Sequence, residues 1–600
     1  MALDGIYISN LAKELDEKLS GAYLNKVQEP SHYNLLFSFS IRGTNKLFIS
    51  SNPSKPTCHL STKKFTNPKK APRFCMYLRK HLEGAKLNSV TCPDYERMLI
   101  FNFTHINELQ DKRNLDLIVE LVPRRANVVL VKDGVILDSL VYIDETMSRY
   151  RQILPTRPYE FPPKQDKPLA ENRIESLKQG ELKGINEDQK LRQALLDLAL
   201  GVSPQITKEI LYRADINKNS KLEDLDEKEK SALIKASTNV LTEAVYEPQA
   251  YIYPGAKKLK GDYHCFELKS LGTATKVESL NQAMDIVYNY QFKLRSLEEK
   301  RRKLLNLSKK ELKHQTKLNE IYKADINNNE NYEELEKAAE LILSQLNNLP
   351  ERVPQDGKLE IVDYYDPDLN TYTVNLEAGR FTNQAAEDLF AEYDKAKSAY
   401  HYGLEHIDAN EANIDYLNSL INLLENADSF EDLDAIESEI ASGPLAKVLK
   451  KQYKKHKQNK EKSQSKSQPK KAKPRHYKTS NGLDIFAGRN NLQNDNLSLR
   501  QSQKDDLWFH AKARPGSHLI LKTSQAQEVK DEDILEAAEI AAYLSLKAKE
   551  KLVPGQEKLE IDYCPVSHLN KPKGAKPGLV TYENYKTVYV EAKAHEDLKV

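Results

Sequence analysis

Two long stretches of this chain carry apolar residues at helical spacing in a background of dense charge, and they exclude a single packed core. In residues 389–426, Ile407, Ile414, Leu417, Ile421 and Leu424 stand seven, three, four and three apart, the rhythm of a heptad seam. From 280 to about 322, Tyr290, Leu294, Leu297, Leu304 and Leu318 lie amid dense Lys and Glu. Helices of this kind bury little surface alone; what they supply is reach, about 1.5 Å per residue. Between them, 359–365 and 372–376 predict a β-hairpin turned at Asp366-Pro367-Asp368. The pattern is that of a long antiparallel coiled coil with a small β-containing insert in its middle.

Charge is segregated along the chain although the net charge is only +2. Residues 445–477 are rich in Lys and Arg with one acidic residue, Glu461, whereas 405–439 contain no Lys or Arg. Such asymmetry suggests a polyanion partner; the plainer reading of 458–473 alone is a solvated linker. The five cysteines, Cys58, Cys75, Cys92, Cys265 and Cys564, form no Cys-x-x-Cys pair. Neither a zinc ribbon nor a disulfide framework is supported, and a reducing cytosol fits best. No apolar run approaches the roughly 20 residues of a spanning helix, and the first residues show no signal sequence. The expectation is a soluble, cytoplasmic protein without a membrane partner.

The ends of the chain read as globular. Strand-forming runs at 35–39, 46–50, 97–103, 115–121 and 127–131, with helices at 8–19 and 73–82, predict an α/β domain over residues 1–168. Lys132-Asp133-Gly134 is a hairpin turn between two apolar runs. Short helices dominate 169–275, where Ser203 is placed to cap a helix that begins at Pro204. Its Gly-containing turn could set backbone amides against phosphate, or the module could be a purely structural helical hairpin. Arms at 276–345 and 386–450 flank an insert at 346–385. A basic linker at 451–476 leads to a second α/β domain at 477–600, whose helix at 533–549 has an alanine-rich face. The fold class is α+β and multidomain.

The C-terminal part holds the most distinctive residues: Gly488-Arg-Asn-Asn-Leu-Gln-Asn-Asp495, Asp505-Asp-Leu-Trp-Phe-His-Ala-Lys512 and Pro515-Gly-Ser-His518. Amide, guanidinium, imidazole and indole groups on short turns suit hydrogen bonding and stacking on nucleic acid. Arg489, Asn490, Asn491 and Asn494 are the better RNA candidates, because a Gly-led turn allows close backbone approach. Trp508 fits core packing, and His510 and His518 fit turn-stabilising hydrogen bonds, with direct RNA contact the alternative. Two histidines without a third ligand at characteristic spacing are a weak metal signal. No phosphate loop, nucleophile elbow or His-Glu-x-x-His is present, so neither a catalytic residue nor a cofactor is expected.

Taken together, these motifs resemble the NFACT family, the bacterial RqcH and fibronectin-binding-A-like proteins with eukaryotic NEMF-type factors as distant relatives. Met1-Ala-Leu-Asp-Gly5, Asn25-Lys-Val-Gln28 and Phe74-Cys-Met-Tyr-Leu-Arg-Lys-His-Leu-Glu-Gly84 match the NFACT-N domain. Thr382-Asn-Gln-Ala385 fits the middle region. Gly488-Arg-Asn-Asn491, Asp506-Leu-Trp-Phe-His-Ala511, Pro515-Gly-Ser-His518 and Lys576-Pro-Gly578 match the NFACT-R domain. The module at 169–275 would be helix-hairpin-helix-like. The resemblance implies a ribosome quality-control factor that binds an obstructed large ribosomal subunit holding peptidyl-tRNA. Such a factor recruits alanyl-tRNA for untemplated alanine tailing, sometimes beside a small RNA-binding accessory protein, while ribosomal RNA performs peptidyl transfer.

For tRNA engagement the family uses an Asp-Arg pair at a strand start, and here the pair is Glu96-Arg97. Asp4 matches an acidic residue near the family's N-terminus. A His-Ser-Asn motif after an acidic strand corresponds to Arg124-Arg-Ala-Asn127 after Glu120, which puts Arg124 and Asn127 in the expected tRNA site, and Thr156 replaces a usual glycine after Pro155. A fibronectin-binding surface adhesin and a coiled-coil scaffold without an RNA role are the alternatives. The family's likeness to DNA glycosylases does not extend to their chemistry, because this chain has no cysteine cluster.

Overall fold

The computed structural model describes residues 3–40, 46–106, 112–182, 186, 188–253, 261–443, 446, 472–524, 528–546 and 558–600. The expected basic linker lies, up to residue 471, outside the described residues. The chain forms two compact units, Met1–Arg295 and Ser296–Val600.

In the first unit, α1 (Gly5–Leu19) opens on Asp4, whose carboxylate accepts the Tyr7 amide and so caps the helix. Its Ile6, Leu11, Leu15 and Leu19 side chains are fully buried. Strands β1 (Leu24–Ser31), β2 (Asn34–Phe39), β3 (Lys46–Ser50) and β4 (Thr57–Leu60) form one sheet in chain order. After α2 (Arg73–Leu82), strands β5 (Lys86–Thr91), β6 (Met98–Ile106), β7 (Lys112–Glu120), β8 (Asn127–Lys132) and β9 (Val135–Ser139) form a second. The Phe39 and Phe103 rings, one from each sheet, stack at 6.5 Å. The β8–β9 turn places Asp133 and Gly134 at φ +50° and +77°, matching the twist of the strands it joins.

Every pairing in both sheets is antiparallel. The α/β expectation for this domain is therefore corrected to α+β. Most successive strands are joined by short turns, which leave no room for the helical crossover that a parallel pair requires.

Helices α3 (Ala170–Lys178), α4 (Leu191–Ala194), α5 (Pro204–Ala214) and α6 (Glu227–Tyr246) follow, then short strands β10 (Tyr251–Tyr253), β11 (Asp262–His264) and β12 (Thr275–Lys276). Ser203 caps α5 as expected, accepting the Ile206 amide with Pro204 at the first helical position. Helix α7 (Leu280–Asn328) begins in this unit. Its first turn is held by Glu14, which accepts from Leu280 N at 2.8 Å and Asn281 Nδ2 at 2.9 Å, and by Tyr7, whose hydroxyl donates to Leu280 O at 2.9 Å.

The second unit contains the rest of α7, then α8 (Tyr332–Ser344), the hairpin β13 (Lys358–Val362) and β14 (Thr371–Asn375), and α9 (Thr382–Asn426). Helices α7 and α9 run antiparallel. Lys309 pairs with Glu425, Lys323 with Glu411, and Ile326 lies against Gly403. Leu304 and Leu307 share a core with Leu417, Leu420 and Leu424. Ala339 and Ile342 of α8 pack with Leu359, Ile361 and Val374 of the hairpin. Helix α10 (Phe430–Ser442) starts in a capping box of Ser429 and Asp432.

The C-terminal sheet contains β15 (Arg475–Lys478), β16 (Asp484–Ala487), β17 (Leu507–Ala511), β18 (Leu519–Leu521), β19 (Leu559–Pro565) and, after the short pair β20 (Leu569–Asn570) and β21 (Thr581–Tyr582), β22 (Lys586–Val590). Its order is β15-β16-β18-β17-β19-β22, with all pairings antiparallel, so the α/β expectation here is likewise corrected to α+β. Helix α12 (Asp531–Ser545) covers one face with Ala537, Ala538, Ala541 and Ala542. Helix α11 (Asn491–Asn496) leads into a further turn whose Leu497 packs with Trp508, Ile520 and Cys564 on the other. No helix among the described residues is long and apolar enough to cross a membrane.

Candidate nucleic-acid interface

The N-terminal candidates gather at one end of the five-stranded sheet. Register places Met98 opposite Glu120, and the Leu121 amide donates to Arg97 O at 2.8 Å. Glu96 and Arg97 at the start of β6 thus lie beside the turn that carries Arg124. The approach to this pair is strained, because Asp94 and Tyr95 both adopt positive φ, 44° and 56°. Packing holds the turn in place: a Cβ on Gly5 would stand 1.8 Å from Tyr95 O, so only glycine fits there. The Tyr95 hydroxyl also donates to the Glu171 carboxylate of α3.

At this edge Arg97 is half-buried, and Arg124 (φ +67°) and Arg125 are exposed. Among the described residues the Arg97 guanidinium has no hydrogen bond or ion pair, only the longer-range pull of Glu96, whose carboxyl is raised by burial. The acidic end of β7 is already neutralised, since Glu120 accepts from Arg151 and from the Tyr159 hydroxyl. The edge therefore presents Arg97, Arg124 and Arg125, with one exposed carboxylate, Asp94, which meets Lys164 at 3.9 Å.

Asp4 and Asn127 lie beneath it and are buried. Asp4 is 1% exposed; besides capping α1, its Oδ2 accepts from Ser203 Oγ at 2.7 Å and His264 Nε2 at 3.0 Å. Burial alone would lower the pKa of His264, but the Asp4 carboxylate outweighs it and takes the imidazole up to about 10. Asn127 donates to Val141 O at 2.7 Å and accepts Val141 N at 3.0 Å, imitating a strand partner. Both residues support the surface that Glu96, Arg97 and Arg124 present. Sequence reasoning missed His264 and Arg125, and it read Ser203 as a helix cap without its bond to Asp4. The Asp4–His264 contact spans 260 positions, and no local signal announces it.

The C-terminal motif is engaged internally. Arg489 pairs with Asp432 of α10, and Arg475 meets the same carboxylate at 3.1 Å. Asn490 caps α11 and donates to Ala435 O at 2.6 Å. Glu439 accepts Asn491 N at 2.8 Å and Nδ2 at 3.1 Å, and Ser419 Oγ donates to Asn491 Oδ1 at 2.9 Å. Burial raises Glu439 to about 7 against the donations of Tyr416 and Asn491. Asn494 accepts the His518 amide at 3.2 Å. These contacts dock the sheet on α9 and α10, and they leave Arg489 largely covered and the three asparagines buried.

Trp508 is 1% exposed and stacks on His510 at 5.5 Å, with His518 edge-on at 5.3 Å. Burial takes His510 down to about 4 and holds His518 well below its ordinary value, so both rings are neutral near pH 7 and offer phosphate no charge. His518 Nδ1 meets Ser498 Oγ at 2.8 Å. Asp495 receives Lys571 Nζ at 2.5 Å and the Gly578 amide at 3.0 Å, which ties the Lys-Pro-Gly loop to α11.

Comparison with known proteins gives two family matches: "NFACT N-terminal and middle domains" over residues 4–462 and "NFACT protein RNA binding domain" over residues 473–584. The chain is 30% identical to the "Rqc2 homolog RqcH" of Bacillus subtilis, with all of both chains covered. It is 26% identical to that of Streptococcus suis, with 98% of each covered. Among solved structures, the fibrinogen binding protein from Staphylococcus aureus aligns at 23% identity and a TM-score of 0.39, over 48% of this chain and 99% of that one.

Proposed function

The chain belongs to the NFACT family, and from that premise we propose that it serves ribosome quality control in the cytoplasm as a non-catalytic RNA-binding factor. It binds an obstructed large ribosomal subunit that still holds peptidyl-tRNA and recruits alanyl-tRNA, and a small RNA-binding accessory protein is a further candidate partner. The stalled chain then receives untemplated C-terminal alanines that mark it for degradation. Bond formation belongs to ribosomal RNA; this protein contributes proximity, holding reactants in one geometry. In this reading α7 and α9 act as a coiled-coil spacer, and the helices α3–α6 as a helix-hairpin-helix-like module.

The observation that carries the reading is Arg97, a guanidinium without an ion-pair partner among the described residues, on a strained turn beside exposed Arg124 and Arg125. A planar guanidinium presented this way suits bidentate contact with phosphate or a base edge. Glu96 retains the carboxylate of the family pair with one more methylene. The buried Asp4–Ser203–His264 contacts support the turn from below.

The test is sedimentation of tagged protein with large subunits, together with recovery of tRNA. Arg97→Ala is expected to lose most tRNA recovery while subunit association persists. Equal tRNA recovery from variant and parent removes the site assignment, and absence of the parent from large-subunit fractions at every salt up to physiological removes the function.

A further inference from the structure

The acidic run of α9 and α10 is matched inside the second unit by a basic run on α7. Lys300 pairs with Asp434 and Glu437, Lys309 with Glu425, and Lys323 with Glu411. Five further cations on α7, Arg302, Lys303, Lys310, Lys313 and Lys317, are exposed, and among the described residues none of them is in an ion pair. At about 100° per residue they fall within roughly one quadrant of the helix, and at about 1.5 Å per residue they span about 22 Å. Residues 405–439 of the partner helices contribute no cation, and Glu405, Asp408 and Asp415 are exposed there. Between Glu299 and Glu320, exposed at the two ends of the row, α7 thus presents a positive strip, while the partner helices present carboxylates.

Like charges three or four residues apart on one helix face, as at Lys310, Lys313 and Lys317, repel. A polyanion laid along the stripe relieves that repulsion. The class of polyanion follows from the side chains. Unpaired strands are held by aromatic platforms, and residues 296–321 contain no Phe, Tyr or Trp. A straight row of cations with one exposed ring beside it, His314, and no series of aromatic platforms fits the phosphate ridge of a double helix, read by shape rather than by sequence.

We propose that this stripe is a binding surface for the backbone of double-helical RNA, separate from the Arg97 edge. The inference rests on the reading of the chain as an RNA-binding factor and adds to it a second, sequence-independent contact.

The experiment uses the full chain and a variant with Arg302→Gln, Lys303→Gln, Lys310→Gln, Lys313→Gln and Lys317→Gln, chosen because glutamine keeps helix propensity. Circular dichroism checks that the helix content is unchanged. The probes are a fluorescent RNA duplex of about 20 base pairs and one of its strands alone. Each phosphate contact contributes about 0.7–0.9 to the slope of log affinity against log salt, so a variant that loses all five contacts should lose about 3.5–4.5 from that slope on the duplex and bind it at least about tenfold more weakly. A parent that fails to bind the duplex, or a variant with the parent's slope, overturns the proposal. Equal losses on duplex and single strand overturn the assignment to double-helical RNA. The wider reading fails separately, if the parent does not sediment with large subunits.

Discussion

Asp4 shows how a residue expected at an RNA interface can act from within. Its two oxygens satisfy the Tyr7 amide, Ser203 and His264 at once, and it is buried. Asp4→Asn separates these roles, because asparagine still caps a helix but cannot balance a buried imidazolium. The sign of the pH effect follows from His264, raised from 6.5 to about 10. The native state holds a proton that the unfolded chain releases above its ordinary pKa. The stabilisation is therefore complete below about pH 6.5 and is lost as pH climbs toward 10. Asp4→Asn should cost about 3 kcal/mol near pH 6, and the gap to the parent should shrink markedly by about pH 9.5. Urea unfolding followed by far-UV circular dichroism at the two pH values measures this, and a gap that stays constant would rule out the charged pair.

At the scale of elements, the antiparallel meeting of α7 and α9 depends on close approach at Gly403. A Cβ there would lie 2.9 Å from Ile326 Cγ1 and 3.1 Å from Tyr322 O. Alanine in a helix interior is ordinarily favoured over glycine by about 1 kcal/mol, so a neutral site would be stabilised by the change. Here the carbonyl of α7 cannot yield without moving its helix. We expect Gly403→Ala to destabilise the second unit by about 1 kcal/mol, read from its denaturation midpoint; a raised midpoint would mean that the helices have room to part. Much of this element pattern was legible in advance. The expected 73–82 helix agrees with α2, and the expected strands 359–365 and 372–376 overlap the observed hairpin strands. Of the five expected seam residues, Leu417 and Leu424 lie in the shared core, whereas Ile407, Ile414 and Ile421 are only partly buried. Strands β1, β4 and β5 were not read: Leu24–Ser31 contains Asn25, Lys26 and Pro30, and Thr57–Leu60 is only four residues long. Long-range pairing holds such segments where local propensity does not mark them. The C-terminal amide cluster was legible as unusual but not in its use, because Asp432 and Glu439, which engage it, lie some fifty residues earlier.

For the molecule as a whole, a net charge near zero conceals opposed faces on one arm and cations gathered at one sheet edge. Function is carried by where charges stand, which a sum cannot report. The same division appears in the cores. One apolar cluster lies within residues 3–284, and separate clusters serve the helical arm, the hairpin insert and the C-terminal sheet. A chain built this way has no reason to unfold as one cooperative body. It also carries its own probe, because its only tryptophan, Trp508, is buried in the second unit. Tryptophan fluorescence should follow that unit alone, whereas far-UV circular dichroism follows both. Asp4→Asn, placed in the first unit, should shift part of the dichroism transition to lower denaturant while leaving the fluorescence midpoint where it was. A single coincident transition, moved equally in both signals by that substitution, would mean that the two units share one folding equilibrium.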